Sequence, residues 1–242
     1  MAAPVIIVTG VSRGIGRAIA EELQSRGAAI VGAARDVADV PATASLLPVA
    51  ADVTQEAGRK ALLEAALARH GRIDGLVNNV GAAVRRAAVD TALEDFRQAL
   101  EVNLLATFAL CRAAHPHLKA SRGSVVNVSS VAGSRALPIR IAYGTSKAAL
   151  DHLTRSLAVE WGPDGIRVNA VLPWFTRTEM VQKVLEDRDF ERKLIAATPL
   201  RRLAEPADVA RAVAFLALPD SDYITGQLLA VDGGYLAQGL PG

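Results

Sequence analysis

Residues 5–16 read Val-Ile-Ile-Val-Thr-Gly-Val-Ser-Arg-Gly-Ile-Gly, and this stretch decides the fold. Its first four residues are all apolar, which is typical of a strand buried on both faces. Three glycines follow, and a helical pattern then continues to about residue 26. Glycines between a strand and a helix let the backbone turn tightly and approach a phosphate, and the free N–H groups at the helix start attract an anion. The stretch therefore predicts a strand–turn–helix unit that binds the pyrophosphate of a nucleotide.

Strand-like and helical segments alternate along the rest of the chain. Further buried strands are predicted at 29–34, 47–51, 75–78, 124–128, 167–172 and 227–231, and helices at 54–70, 93–100, 102–118, 142–161 and 206–217. Thr54 is the expected cap of the first of these helices. Because crossovers between parallel strands are right-handed, this alternation predicts a doubly wound parallel sheet with helices on both faces. We expect a single α/β Rossmann-type domain of about seven strands over residues 1–242.

The composition limits the classes of function. The formal net charge is +2, so a strong electrostatic footprint for nucleic acid is absent. The single cysteine, Cys111, excludes an intrachain disulfide framework and favours a reducing compartment. His115 and His117 are two residues apart, which does not suit a helical metal pair, and we expect no metal site. With no signal peptide or long apolar run, the expected protein is cytoplasmic and has no membrane partner.

Two arginines bear on which nucleotide is bound. Arg35 follows the second strand directly, and Arg13 lies in the glycine-rich stretch. A basic group at the tip of this strand favours a ribose 2′-phosphate, and two guanidinium groups could clamp one phosphate. Asp36 comes next and would favour a free 2′-hydroxyl instead. We expect a preference for NADP(H), with NAD(H) still possible.

Polar residues follow the third and fourth strands. Asp52, followed by Val53, could accept from an adenine amino group or could cap the next helix. The sequence Asn78-Asn79-Val80-Gly81 ends the fourth strand, at the edge of the sheet where ligands bind in such folds. We expect Asp52, Val53, Asn79, Val80 and Gly81 to contact the nucleotide.

The stretch Tyr143-Gly144-Thr145-Ser146-Lys147 carries the candidate chemistry. A phenol and an ammonium four residues apart lie on the same face of a helix. The ammonium favours the phenolate, so the pKa of Tyr143 is expected to fall towards neutrality. Such a tyrosine can exchange a proton with a substrate oxygen, which the hydroxyl of Ser130 could also hold.

Taken together, these motifs resemble those of the short-chain dehydrogenase/reductase family. The match consists of Thr9-Gly10-x-x-x-Gly14-x-Gly16, Asn78-Asn79-Val80-Gly81, Asn103, Ser130, Tyr143-x-x-x-Lys147 and Val231-Asp232-Gly233-Gly234. The stretches 114–121 and 223–235 look most like tropinone-reductase-like members. The resemblance implies NAD(P)-dependent oxidoreduction of an alcohol/carbonyl pair. It also implies a homotetramer or homodimer that uses the helices bearing Asn103 and Tyr143 and the C-terminal strand. Apolar residues on both helices fit such an assembly: Leu104, Leu105 and Phe108 on the first, and Leu150, Leu153 and Leu157 on the second.

The resemblance assigns roles by position. Tyr143 would be the general acid/base, Lys147 would lower its pKa and bind the nicotinamide ribose, and Ser130 would hold the substrate oxygen. Asn103 would anchor a water that relays protons to Lys147. The expected cofactor contacts are Gly10, Ser12, Arg13, Gly14, Ile15, Gly16, Arg35, Asp52, Val53, Asn79, Val80, Gly81, Tyr143, Lys147, Pro173, Thr176 and Thr178.

The sequence departs from the family pattern beside the expected substrate. Val80 stands where the family has alanine, and Trp174 follows Pro173 where the family has glycine. Trp174 could wall the substrate pocket, or it could pack into the segment 176–204. That segment is either a solvated helix face or a mobile cover over the site. The expected substrate-pocket residues are Ser130, Tyr143, Trp174, Phe175 and Met180.

The leading hypothesis is an NADPH-dependent reductase that converts a small-molecule ketone to a secondary alcohol. The same residues would serve an NAD(P)-dependent secondary-alcohol dehydrogenase that works oxidatively. A 3-oxoacyl-thioester reductase is a further alternative, although Asp164 stands where such enzymes tend to present a basic group. An NADP-binding sensor or scaffold is the alternative that is not an enzyme.

Overall fold

The computed structural model describes residues 3–238, apart from the side chains of Met180, Lys183 and Val184. Seven parallel strands form one sheet in the order β3-β2-β1-β4-β5-β6-β7. The strands are β1 Val5–Thr9, β2 Ala29–Ala34, β3 Leu46–Ala50, β4 Gly75–Asn78, β5 Ser124–Val128, β6 Arg167–Pro173 and β7 Leu228–Val231. The order reverses between β1 and β4, which opens a crevice at the carboxyl ends of these strands. The predicted doubly wound fold is confirmed.

Helices connect the strands on both faces of the sheet. They are α1 Gly14–Ser25, α2 Glu56–His70, α3 Leu93–Leu100, α4 Ala106–Ser121, α5 Val131–Ser134, α6 Ile141–Trp161, α7 Glu179–Leu185, α8 Arg188–Ala196 and α9 Pro206–Ala217. A π-helical turn, Glu101–Leu105, joins α3 to α4, so two predicted helices are one continuous helical segment. None of the helices in the described part of the chain is long and apolar enough to cross a membrane.

The continuous apolar run of β1 has a direct explanation in the packing. Val5 and Ile7 pack with residues of α2 and α4, whereas Ile6 and Val8 pack with residues of α1 and α9 on the opposite face. All four are at most 3% exposed. A strand that is covered on both faces needs apolar residues at every position, which is why its sequence does not alternate.

Two local expectations are wrong. Thr54 does not cap α2, because Gln55 occupies the position before its first residue. The Thr54 hydroxyl instead donates to Asp52 at 2.7 Å. Leu150 and Leu157, which we expected to offer an apolar face for assembly, are buried in the protein's own core.

Gly16 provides a test of the turn between β1 and α1. A Cβ atom at this position would overlap the carbonyl oxygen of Gly10 and the side-chain amide of Asn79. We expect Gly16→Ala to lower the free energy of unfolding by about 1–3 kcal/mol, the usual cost of overpacking. Urea denaturation measures the effect.

Gly162 is the matched control. A Cβ there meets nothing within 4 Å, and the backbone has helical dihedral angles. Gly162→Ala should therefore leave stability unchanged or raise it slightly. Equal stabilities of the two variants would show that the turn tolerates a side chain.

Candidate active site

A cavity of about 540 Å³ lies at the carboxyl ends of the strands, across the point where the strand order reverses. It brings together nearly all of the residues that the sequence predicts for the site. Those in its wall are Gly10, Ser12, Arg13, Gly14, Ile15, Gly16, Arg35, Asp52, Val53, Asn79, Val80, Gly81, Ser130, Tyr143, Lys147, Pro173, Trp174, Phe175, Thr176 and Thr178. Asn103 lies behind the wall, and the side chain of Met180 lies outside the described part of the structure.

Hydrogen bonds fix the glycine turn to the loop after β4. The Asn79 side-chain amide donates to the carbonyl oxygen of Thr9 at 2.9 Å, and the Thr9 hydroxyl accepts from the backbone N–H of Asn79 at 2.9 Å. Gly10 and Gly14 have φ angles of +77° and +57°, a backbone region that residues with side chains rarely adopt. The turn thus presents bare backbone and the N-terminus of α1 to the cavity, which fits a pyrophosphate group.

The predicted two-arginine clamp stays a prediction, because both arginines lie in the cavity wall. Arg13 forms an ion pair with Glu179 of α7 at 2.9 Å. Arg35 lies in the cavity wall beside Asp52. Hydrogen bonds from Thr54 are the main cause that lowers the pKa of Asp52, and the charge of Arg35 adds to them. The carboxylate of Asp52 is therefore engaged within its own turn, and Arg35 is the basic group beside it in the cavity wall.

Lys147 is a buried cation on α6. Only 3% of it is exposed, and its ammonium donates to the carbonyl oxygen of Val128 at 2.9 Å. Burial lowers the pKa of Lys147 to about 8, against the opposing charge of Asp151. Asp151 is itself buried, and one of its carboxylate oxygens has no hydrogen-bond partner among the described residues. Lys147 is thus still mostly protonated at neutral pH.

The pKa of Tyr143 shifts upwards, whereas the sequence led us to expect a fall towards neutrality. Burial raises the pKa of Tyr143, and the effects that lower it are a hydrogen bond with Ser130 and the charge of Arg140. The Lys147 ammonium lies 5.8 Å from the centroid of the Tyr143 ring. Desolvation outweighs the nearby charges, so Tyr143 is a protonated phenol at neutral pH.

Asn103 belongs to the π-helical turn and supports the site from behind. Its amide oxygen accepts from the backbone N–H of Ala82 at 2.8 Å, and its amide nitrogen donates to the Ala82 carbonyl oxygen and to Ser146, both at 2.9 Å. The Ser146 hydroxyl in turn donates to the Tyr143 carbonyl oxygen at 2.7 Å. These bonds occupy the side chain of Asn103, and its role as a water anchor stays a prediction.

Asn78 does not reach the cavity. Its side chain is buried and donates to Asn127 at 2.9 Å beneath the sheet edge. Asn79, Val80 and Gly81, the residues of this motif that we expect to contact the cofactor, do lie in the cavity wall. The alternation of side chains along β4 explains the difference, because neighbouring residues of a strand point to opposite faces.

Trp174 both packs against the segment 176–204 and lines the cavity, which are the two alternatives that its sequence position left open. Its indole N–H donates to Thr198 at 3.2 Å, and its ring stacks on Tyr235 with centroids 3.6 Å apart. Phe175 meets it edge-on at 4.8 Å. Trp174 also lines the cavity, although only 8% of it is exposed. The indole is held by the packing around it and offers one edge to the substrate end.

The segment 176–204 contains α7 and α8 and closes one side of the cavity. Thr178, Glu179 and Val181 are in the wall. In α8, Glu191 is 6% exposed and forms an ion pair with Arg177 at 2.8 Å, so this segment is more than a solvated helix face. Its mobility stays a prediction.

Sequence reasoning missed several residues at the substrate end. They are Gln98 and Val102 from the helical segment that includes the π turn, and Leu137 and Arg140 from the loop before α6. Arg140 precedes Tyr143 by three residues, and that helical spacing was the available signal. Within residues 3–238, no group of three or more His, Cys, Asp and Glu side chains could hold a metal.

Comparison with known proteins extends the resemblance over the whole chain. A family model described as enoyl-(acyl carrier protein) reductase matches residues 10–236. A tropinone reductase homologue from Arabidopsis thaliana is 42% identical over 249 aligned positions, which span 99% of this chain and 94% of the relative. A tropinone reductase homologue from Datura stramonium is 38% identical over 247 positions, which span 96% of this chain and 92% of the relative.

Solved structures agree with this assignment. The aldohexose dehydrogenase of Thermoplasma acidophilum, in ligand-free form, superposes with a TM-score of 0.90 at 33% identity and covers 98% of this chain and 95% of its own. ElxO, with NADP bound, superposes with a TM-score of 0.90 at 31% identity and covers 98% of this chain and 100% of its own. The chain belongs to the short-chain dehydrogenase/reductase family, in its tropinone-reductase-like branch, and is an NAD(P)-dependent oxidoreductase that acts on CH–OH groups.

Proposed function

We propose that the protein reduces a small-molecule ketone to a secondary alcohol with NADPH, in a reversible reaction. One observation carries this proposal: the cavity has the glycine turn at one end and Tyr143, Ser130 and Lys147 at the other. A nucleotide held at the first end would present its reactive ring to the second. An NADP-binding sensor or scaffold would not need an acid, an oxygen-binding hydroxyl and a buried cation in one place. Their arrangement therefore favours an enzyme.

The bare backbone of the glycine turn and the start of α1 would hold the pyrophosphate. Asn79, Val80 and Gly81 would contact the nucleotide beside β4, and Lys147 would hold the nicotinamide ribose. Pro173, Thr176 and Thr178 would contact the nicotinamide. When bound, the nicotinamide supplies or accepts the hydride, and the protein binds, orients and manages the proton.

Tyr143 would give the proton to the carbonyl oxygen of the ketone. Its raised pKa keeps the phenol protonated at neutral pH, which suits the reductive direction. The Ser130 hydroxyl would donate a hydrogen bond to the same oxygen. The ammonium of Lys147, buried beneath, would stabilise the phenolate that forms as the proton leaves, and this effect is strong where water is excluded.

The positions of Arg35 and Asp36 favour NADP(H) over NAD(H). Arg35 lies in the cavity wall, where a ribose 2′-phosphate would attract its guanidinium group. The carboxylate of Asp36, which would favour the free 2′-hydroxyl, accepts a hydrogen bond from the backbone N–H of Ala38 at 2.9 Å. It is therefore already engaged within its own turn.

The assembly and the location in the cell are further proposals. Leu105 and Phe108, near the start of α4, are 49% and 40% exposed, which supports a homotetramer or homodimer through this helix. The mass of the protein in solution tests the assembly, and a monomer would contradict it. Burial raises the pKa of the Cys111 thiol to about 12, so the only cysteine stays unreactive, as suits the proposed cytoplasmic location. Cell fractionation tests the location.

Tyr143→Phe tests the assignment of the acid. We expect kcat for ketone reduction to fall by roughly 10²–10⁴-fold, because the variant has no proton to give. NADPH binding, followed by quenching of protein fluorescence, should be retained because the ring is unchanged. A variant that keeps the parent rate would exclude Tyr143 as the acid.

The pH dependence of reduction tests the role of Lys147. The rate should fall as the pH rises through about 8, because Lys147 loses its charge there while Tyr143 keeps its proton. In Lys147→Arg the cation persists, so the fall in rate should move to higher pH. Profiles of kcat/KM between pH 6 and 10 measure both. An unchanged decrease in the variant would assign it to another group.

Arg35→Ala tests the choice of nucleotide. We expect its dissociation constant for NADPH to rise roughly tenfold or more, since a charge-assisted hydrogen bond to phosphate is lost. Binding of NADH should change little. Arg17→Ala is the control, because Arg17 is exposed and pairs with Glu21 along α1 at 2.9 Å. Equal affinity of the parent protein for NADPH and NADH would overturn the preference.

A further inference from the structure

The substrate end of the cavity contains a cation that the proposed reaction does not use. Arg140 is in the cavity wall, and its guanidinium carbon lies 5.7 Å from the centroid of the Tyr143 ring and 5.6 Å from that of Phe175. The guanidinium therefore lies beside the group that meets the ketone oxygen. A substrate held by Tyr143 and Ser130 would therefore have Arg140 beside it in this wall.

Arg140 and the neighbouring Arg85 have no acidic partner. Within residues 3–238, neither forms an ion pair with a carboxylate. The two acidic residues of the cavity wall are Asp52 and Glu179, which lie towards the glycine turn and are already bonded to Thr54 and Arg13. The substrate end is thus positively charged.

This arrangement has an electrostatic cost. Arg140 is half-buried, and burial lowers its pKa first, with the charge of Arg85 lowering it further. Burial also lowers the pKa of Arg85. Partly desolvated like charges are unfavourable unless an anion joins them, because each has lost water without gaining a partner. A ligand with a negative group would supply that partner.

The backbone holds Arg140 in this position. The carbonyl oxygen of Ile139 accepts from the backbone N–H of Arg86 at 3.1 Å, which joins the loop before α6 to the loop after β4. Ile139 has a φ of +54°, a strained conformation for a β-branched residue. α6 then begins at Ile141 with no capping side chain and no acidic residue in its first turn, so its positive end adds to the charge of Arg140.

We propose that the substrate is a ketone that carries an anionic group, such as a carboxylate, near its carbonyl, and that Arg140 binds this group with support from Arg85. This inference rests on the proposed function and names its substrate class. A guanidinium group binds a carboxylate through two parallel hydrogen bonds, which would also orient the carbonyl towards Tyr143. The same charge opposes a ketone that carries a protonated amine.

A matched pair of ketones tests the selectivity. The substrates are 3-oxocyclohexanecarboxylate and its methyl ester, each with NADPH. The parent protein should have the larger kcat/KM for the carboxylate, and in Arg140→Gln the ratio of the two values should fall at least tenfold. Dividing the two values cancels any effect of Arg140 on the pKa of Tyr143, because that effect is the same for both ketones. Arg86→Gln is the control, because Arg86 is exposed and pairs with Asp95 at 3.2 Å, and it should keep the parent ratio.

Calorimetry separates the anion site from the reaction. Cyclohexanecarboxylate, which has no ketone, should bind the NADP⁺-loaded protein more tightly than cyclohexanecarboxamide, and Arg140→Gln should weaken only the former, by at least tenfold. Equal binding of the two compounds, or reduction of both ketones without preference, overturns the anionic substrate and leaves the reductase standing. Arg140-dependent binding without oxidation of NADPH by either ketone supports the anion site and counts against the proposed reaction.

Discussion

The hydrogen bonds between Asn79 and the end of β1 are the interaction on which the site depends. The strand order reverses between β1 and β4, so the chain leaves this edge in two directions and a crevice opens between them. The Asn79 amide, bonded to the carbonyl oxygen of Thr9, holds the two sides at a fixed spacing. The close approach of Gly16 to Gly10 then leaves no room for a side chain in the turn. The nucleotide end of the cavity is therefore preorganised by backbone.

At the other end, desolvation governs the electrostatics. Lys147 is buried and donates to one carbonyl oxygen, so its pKa falls. The phenol of Tyr143 is half-buried nearby and partly desolvated, so its pKa rises. Both shifts favour the neutral forms, as expected where water is excluded. Tyr143 thus keeps its proton at neutral pH, as its proposed role as the acid requires, while Lys147 keeps charge for its proposed role of stabilising the phenolate. The buried Asp151 opposes the shift of Lys147 and so helps to keep that charge.

The two ends differ in how closely they follow the family. The glycine turn and the Ser130, Tyr143 and Lys147 group follow its pattern. The substrate end has Trp174 where the family has glycine, and Arg140 beside the acid. Fold and cofactor chemistry are shared among many enzymes of this kind, whereas substrate choice depends on the side chains around the reacting atoms. Similarity to tropinone reductase homologues therefore establishes ancestry, and the proposed substrate class rests instead on the positive charge at Arg140.

The sequence by itself determined the seven strands, the glycine turn and many of the cavity-wall residues, because these depend on apolar runs, on glycine and on short spacings along the chain. Only the tertiary structure decided the partners of the charged groups. Arg13 forms an ion pair with Glu179, and Asp36 accepts a hydrogen bond from the backbone N–H of Ala38. The direction of the Tyr143 pKa shift and the position of Arg140 over its ring also required the structure. Desolvation and ion pairing depend on distances between residues far apart in sequence, and local spacing carries no measure of them.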